Sequence, residues 1–137
     1  MSTKSMSLAL KLAALCLAPC LALSSLDARA AGEYSRQYES CMTQAQSTTA
    51  TVGCIGDEVE IQDKRLNKAY QALMPTLKPE RQKKLRALQR QWLQFRDANC
   101  AFYLDPEGGT ITRITGSRCI LDMTASRADE LEALLFQ

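Results

Sequence analysis

The sequence predicts an all-α fold: a small four-helix domain braced by two disulfides, with a short extended Gly-Gly loop between helices three and four. Three observations support this prediction. Apolar residues recur at three- and four-residue intervals along most of the chain, as on the buried face of a helix. Proline, glycine and clustered hydroxyl residues interrupt that spacing where turns are expected. Four cysteines follow a segment that has the pattern of an export signal.

The start of the chain has the pattern of a cleaved signal peptide. Positive charge comes first, from Lys4 and Lys11, and the apolar run 12–23 follows it. The small-x-small sequence Ala28-Arg29-Ala30 then marks a cleavage site. The apolar run is too short for a convincing membrane span, which takes about 20 residues.

Cleavage after Ala30 would divide the chain into a signal peptide, residues 1–30, and a helical domain, residues 31–137. A lipoprotein is the less favoured alternative, because neither Cys16 nor Cys20 follows the small residue that lipid attachment needs. No second apolar span follows, so we expect no stable membrane insertion after cleavage. We expect the domain in the periplasm or outside the cell.

The composition excludes several classes of function. The chain has no histidine, the commonest general base and metal ligand, so catalytic triads and zinc sites with histidine ligands are excluded. The signal peptide carries three of the 17 basic and one of the 15 acidic residues, which leaves 14 of each. This balance argues against nucleic-acid binding. We expect no cofactor, no metal and no catalytic activity.

Two helices are predicted in the first half of the domain. Helix one covers about 33–47, and the hydroxyl-rich segment 47–51 is predicted to end it. Helix two covers about 52–74, and Pro75 ends it because proline cannot continue the helical hydrogen bonds.

Two further helices are predicted in the second half. Helix three opens at Pro79 and ends before the turn sequence Asp105-Pro106-Glu107-Gly108-Gly109. The β-branched segment 110–115 alternates in polarity and is predicted to be extended. Thr124 is predicted to cap helix four.

Helix three combines an apolar seam with a basic N-terminal half. Trp92, Phe95 and Phe102 share the seam and are predicted to lie in the core. The basic residues are Lys78, Arg81, Lys83, Lys84, Arg86 and Arg90. A solvated helix face is the favoured interpretation, and a surface for anionic lipid or cell-wall polymer is the alternative.

The four cysteines of the domain allow three disulfide connectivities. We favour Cys41–Cys54 and Cys100–Cys119, because each pair closes a short loop between consecutive helices. Each bond would contribute about 3 kcal/mol by constraining the unfolded chain.

Two motifs identify a family resemblance. The patterns are D-x-x-L-N-x-x-Y and Q-R-x-W-L-x-F-R-D-x-x-C, followed by a glycine pair, a cysteine and T-x-x-R-x-x-x-L. The residues that carry them are Asp63, Leu66, Asn67, Tyr70, Gln89, Trp92, Arg96, Asp97, Cys100, Gly108, Gly109, Cys119, Thr124, Arg127 and Leu131. This pattern resembles the LprI-like family of exported bacterial proteins over about 38–135. The resemblance implies a small helical domain, and the family's namesake inhibits lysozyme.

The polar motif residues have a favoured structural interpretation. They are predicted to form a hydrogen-bonded network that joins helices two and three, because polar groups near a core must be paired. The predicted members are Asp63, Asn67, Gln89, Arg96 and Asp97. A binding surface made of the same residues is the alternative.

The resemblance implies inhibition of a lysozyme-type muramidase by steric block. Acidic residues at the start of helix two would steer the domain toward a basic enzyme, and they are Asp57, Glu58 and Glu60. A loop braced by a disulfide would occlude the cleft, and its residues are Asp105, Glu107, Gly108 and Gly109.

Two alternatives belong to other classes of function. One is a binding module or immunity protein for a different cell-envelope target. The other is a cell-wall enzyme with a carboxylate pair among Glu58, Asp63 and Asp97. The enzyme is disfavoured, because the sequence shows no arrangement of nucleophile and base.

Overall fold

The computed structural model describes residues 34–137, which contain four α-helices and no strand. The helices are α1 (Arg36–Gln44), α2 (Thr48–Leu73), α3 (Pro79–Phe102) and α4 (Thr110–Leu134), with a 3-10 helix at Met74–Thr76. The predicted all-α fold is confirmed. The predicted signal peptide lies outside the described residues. Among the helices of residues 34–137, none has the length and apolar character needed to cross a membrane.

Serine side chains start the first two helices. The Ser35 hydroxyl accepts a hydrogen bond from the Tyr38 backbone N–H at 3.1 Å. The Ser47 hydroxyl accepts one from the Ala50 N–H at the same distance. The segment 47–51, predicted to end helix one, therefore begins α2 instead. A hydroxyl residue satisfies free N–H groups at a helix start, so the same residues indicate a beginning as well as a break.

The largest interface lies between α2 and α4, and the two helices run parallel. Ile55 of α2 shares a buried cluster with Leu121 of α4. Further along both helices, Arg65 donates a hydrogen bond to Glu132 at 2.8 Å and forms an ion pair with Asp129. Because these contacts advance together along the two helices, their directions must agree. Helix α3 follows α2 in the chain and brings the chain back to the end of the bundle from which α4 starts.

Helix α3 lies antiparallel along α4. Near its start, Leu85 packs in a buried cluster with Leu131 of α4. Near its end, Cys100 forms a disulfide with Cys119 of α4. Contact between α3 and α2 is slight. One neighbouring helix therefore supplies most of the packing for α3.

The core prediction for the three aromatic residues of helix three is correct for one of them. Trp92 is half-buried and packs against the cluster that contains Leu131. Phe95 and Phe102 are exposed, at 61% and 83% of their surface. The apolar seam of α3 is wider than the strip that α4 covers, so its outer residues remain in solvent.

The segment 110–115, predicted to be extended, forms the first turns of α4. Gly109 stands at the N-cap with φ of 73°, and the Thr112 hydroxyl donates to the Gly109 carbonyl at 2.9 Å. Thr124 does not cap a helix, because it is buried within α4 and donates to the Ile120 carbonyl at 2.7 Å. Threonine hydroxyls that bond back to the preceding turn are compatible with a helix despite their β-branched shape.

The predicted disulfide pairing is confirmed. Cys41 and Cys54 join α1 to α2, with their Cα atoms 5.7 Å apart. Cys100 and Cys119 join α3 to α4, with their Cα atoms 5.4 Å apart. Both disulfides connect helices that are consecutive in the chain.

Candidate functional site

The connection between α3 and α4 is an exposed loop, residues 103–109, which we name the α3–α4 loop. Every residue from Ala101 to Ile111 is exposed. Its tip contains all four loop residues that the sequence predicts to contact a partner. The structure therefore brings Asp105, Glu107, Gly108 and Gly109 together at one end of the helical bundle.

Hydrogen bonds hold the α3–α4 loop in one conformation. The Asp105 carboxylate accepts from the Glu107 N–H at 2.9 Å. The Asp105 carbonyl accepts from the Gly108 N–H at 3.1 Å and from the Thr112 hydroxyl at 2.9 Å. A loop that is already ordered loses less conformational entropy when it binds a partner.

The two glycines are required by the shape of the turn. A Cβ atom at Gly108 would lie 2.2 Å from Cγ2 of Thr112, closer than two carbon atoms can approach. Gly109 has a positive φ of 73°, a backbone conformation that L-residues other than glycine rarely adopt. The absence of side chains at both positions also makes the tip narrow.

The base of the loop is fixed to α4 by covalent and packing contacts. The Cys100–Cys119 disulfide ties the last turns of α3 to α4, and Cys100 is fully buried. Leu104 packs on Gly116, where an added Cβ would lie 2.4 Å from the Leu104 Cγ atom. This contact was not predicted, because Gly116 precedes Thr124, the predicted start of helix four, and it lies inside α4 in the structure.

The predicted acidic patch on helix two is smaller than the sequence suggests. Asp57 and Glu60 are exposed, as expected for residues that steer a partner. Glu58 is only 1% exposed, so its predicted place in the patch is wrong. Its carboxylate accepts from the Ser35 N–H at 3.0 Å and from the Gln62 amide at 2.7 Å. Glu58 therefore holds the start of α1 against α2.

The predicted polar network exists, but it joins α3 to α4 and not α3 to α2. Arg96 of α3 donates to the Thr124 hydroxyl of α4 at 3.3 Å, and it pairs with Asp97 at 2.8 Å. Asp63 and Asn67 hydrogen-bond to each other at 2.8 Å on the surface of α2. These two residues lie outside the network because α3 packs on α4.

Trp92 lies at the centre of this network, between two arginines. The Arg96 guanidinium is 5.2 Å from the Trp92 ring centroid, and the Arg127 guanidinium is 5.9 Å from it. Arg127 also donates to Gln89 at 2.7 Å and to Glu130 at 2.6 Å. These stacked and paired cations support a structural role, in which they fix α3 on α4.

The apolar motif residues of helix two are also structural. Leu66 is buried in the cluster that α2 forms with α4, and Tyr70 packs against that cluster. The motif thus combines core residues with the arginine and tryptophan stack. The members of the pattern that lie in the α3–α4 loop are Gly108 and Gly109.

The three carboxylates considered for an enzyme have separate structural partners. Glu58 is buried beneath the start of α1, Asp63 accepts from Asn67, and Asp97 pairs with Arg96. These three carboxylates therefore do not form a pair in a cleft. Within residues 34–137, no three His, Cys, Asp or Glu side chains are placed to hold a metal ion.

A second aromatic cluster, which was not predicted from the sequence, joins Tyr34 and Tyr38 to α4. The Arg118 guanidinium lies 4.9 Å from the Tyr34 ring centroid and donates to the Tyr38 hydroxyl at 2.6 Å. Arg118 also pairs with Asp122 at 2.8 Å, and the Tyr34 hydroxyl donates to the same carboxylate. The cluster consists of two i,i+4 pairs, Tyr34 with Tyr38 and Arg118 with Asp122, which lie about 80 residues apart in sequence.

We expect Tyr34 to ionise at unusually high pH. Burial and the hydrogen bond to Asp122 raise the pKa of Tyr34 to about 12. The pKa of a free tyrosine is about 10, so this interaction stabilises the fold fully below about pH 10 and is lost as the pH rises to about 12. Alkaline titration followed by phenolate absorbance should show a late step that Tyr34→Phe removes. Ionisation of Tyr34 near pH 10 would contradict the contact with Asp122.

A protein-family model matches the larger part of the chain. The family model described as lysozyme inhibitor LprI matches residues 39–131, a range that includes both disulfides and the α3–α4 loop. No curated protein and no solved structure matches the chain. Since the matched range covers more than half of the sequence, the chain belongs to the lysozyme inhibitor LprI family.

Proposed function

We propose that this protein inhibits a lysozyme-type muramidase by placing the α3–α4 loop in the substrate cleft of the enzyme. The family supplies the class of target. The observation that carries the mechanism is the loop itself, which is exposed and closed by hydrogen bonds. The Cys100–Cys119 disulfide fixes its base.

Steric block requires a narrow, rigid element and no reactive group. Muramidases place a pair of carboxyl groups on either side of the bond that they cleave, inside a cleft shaped for a sugar chain. The Gly108-Gly109 turn has no side chains, so its backbone can enter such a cleft. Because the loop is ordered before binding, the free energy of its contacts is not offset by the cost of ordering it.

Negative charge would guide the loop to a basic enzyme. Glu107 lies at the exposed tip, and its carboxylate forms no hydrogen bond or ion pair within residues 34–137. Asp57 and Glu60 add negative charge on the exposed face of α2. Complementary charge raises the association rate, and salt weakens this effect.

Export to an oxidising compartment is part of this proposal. Two disulfides in a domain of this size are typical of proteins that function outside the cytoplasm. The signal peptide pattern that ends at Ala30 supports the same location. A periplasmic or secreted inhibitor would meet muramidases where they act on the cell wall.

A turbidity assay with a panel of lysozymes tests the proposal. We expect the oxidised chain to inhibit at least one lysozyme in a saturable manner, and the reduced and alkylated chain to be inactive. Absence of inhibition across the panel would contradict the proposed target and favour another envelope protein as the partner.

Two variants with the same charge change test the site. Glu107→Arg and Glu60→Arg should both slow association at low salt, because each reduces the steering charge. Only Glu107→Arg should also speed dissociation, by about tenfold or more, because Glu107 would contact the enzyme. Equal dissociation rates for the two variants, measured by surface plasmon resonance, would place the contact surface outside the loop.

A further inference from the structure

We propose that two copies of this chain pair through an exposed apolar stripe on α3, with their α3 helices antiparallel. The stripe consists of Leu88, Phe95 and Phe102, which are 53%, 61% and 83% exposed. Their seven-residue spacing places them on one line of the helix, about 21 Å long at 1.5 Å per residue. Exposed apolar side chains in a continuous row mark an interaction surface.

The surroundings of the stripe resemble the centre of a protein interface. The exposed residues beside it carry no charge, and they are Gln91, Gln94 and Ala98. Interface centres are depleted of charged residues and enriched in aromatic ones. The charged residues of α3 lie nearer its N-terminus or on its other faces, so the stripe can be covered without burying an ion.

Charges at the two ends of the stripe indicate which partner fits it. Lys84 lies one helical turn before Leu88, and Asp105 and Glu107 lie beyond Phe102. The stripe therefore runs from a positive end to a negative end. A second copy in the antiparallel direction pairs each positive end with a negative end, whereas a parallel copy would bring like charges together.

A two-fold axis at Phe95 gives a register in which the other residues match. Leu88 of one copy then faces Phe102 of the second copy, and Lys84 reaches the level of the acidic loop residues. The same residues of both copies then form the contact, as a two-fold symmetric dimer requires.

A groove beside the stripe can receive the protruding aromatic ring. It has a volume of about 750 Å³, and its wall combines leucines with cationic side chains, which are Arg81, Lys84 and Arg127. In the proposed register, Phe102 of the second copy lies opposite this groove. Aromatic side chains that enter a recess are frequent anchors of protein interfaces, and guanidinium groups in the wall can stack on such a ring.

An anionic membrane fits the stripe less well than a second copy does. Lys84 at one end would favour anionic lipid, but Asp105 and Glu107 at the other end would be repelled. The opposite charges of the two ends therefore favour a partner that carries the same two charges in reverse order.

Analytical ultracentrifugation of the oxidised chain tests the dimer. We expect the weight-average mass to rise from monomer to dimer over about 1 µM to 1 mM. Phe95→Asp places two carboxylates at the two-fold axis and should weaken the dimer by about thirty-fold or more. Leu93→Asp is the matched control, because Leu93 is 40% exposed and lies on the opposite side of α3, two residues from Phe95. It should leave the dimer unchanged.

Charge reversal tests the antiparallel direction. Lys84→Glu should weaken the dimer, and combining it with Glu107→Lys should restore it. A wild-type chain that is monomeric throughout, or Phe95→Asp and Leu93→Asp variants of equal effect, would overturn the proposal. So would Phe95-dependent binding to phosphatidylglycerol vesicles by a monomeric chain. These measurements contain no lysozyme, so their result is independent of the proposed inhibition.

Discussion

Serine in place of both Cys100 and Cys119 is expected to abolish inhibition and to lower the free energy of unfolding by about 3 kcal/mol. The stability loss arises because the disulfide closes a chain segment with a sequence separation of 19. The loss of inhibition arises because the base of the α3–α4 loop is no longer fixed. Urea denaturation and the turbidity assay measure the two effects.

The other disulfide provides a matched control for this variant. Serine at both Cys41 and Cys54 opens a segment with a separation of 13, so a similar loss of about 3 kcal/mol is expected. That disulfide joins α1 to α2 and does not contact the α3–α4 loop, so the folded variant should still inhibit. If both folded variants lose inhibition equally, the disulfide does not act through the loop.

Leu131→Ala is expected to lower the free energy of unfolding by about 3 kcal/mol. Leu131 is fully buried and belongs to the cluster in which α2, α3 and α4 meet, with Leu66, Leu73 and Leu85. Its truncation would leave a cavity in the buried cluster that all three helices share within residues 34–137. Urea denaturation measures the loss.

Leu135→Ala is the control for this prediction. Leu135 follows the last turn of α4 and is 39% exposed, so its truncation should cost less than about 1 kcal/mol. Equal losses for the two leucines would mean that the helices do not pack around Leu131 as described.

Local patterns explain why the helices and disulfides were predictable. Pro79 at the start of α3 and the turn after Phe102 set helix limits through properties of single residues and their neighbours. The cysteine pairing followed from helix order, since each disulfide joins consecutive helices. Information of this kind lies within short segments, so one sequence is sufficient to read it.

The packing of α3 was not predictable in the same way. An apolar seam shows that a helix has a face to cover, but it does not say which element covers it. Phe95 and Phe102 share the spacing of Trp92 and still lie in solvent, because α4 is narrower than the seam. The Arg96 network was predicted to join α3 to α2, and it joins α3 to α4. The spacing of residues within α3 does not identify the helix that packs against it.

The candidate site also contains residues whose place was predictable from local sequence and one whose place was not. The turn residues Gly108 and Gly109 were identifiable because the backbone itself requires glycine there. Glu58 resembles its exposed neighbours Asp57 and Glu60 in sequence, and only the position of α1 makes it a buried acceptor. Within the candidate site, the incorrect assignment was the exposure of Glu58, which depends on contact with a distant segment.

The parallel arrangement of α2 and α4 has a consequence for folding kinetics. Their contacts join residues far apart in the chain, such as Arg65 and Asp129 with a separation of 64. Helical proteins usually fold rapidly because their contacts are local, and long-range contacts slow folding through the entropy of loop closure. The α3–α4 hairpin is local and can form early, whereas the main contacts of α2 must wait until α4 has been synthesised. The chain is helical in content, but in the sequence distance of its main contacts it resembles a β-sheet protein.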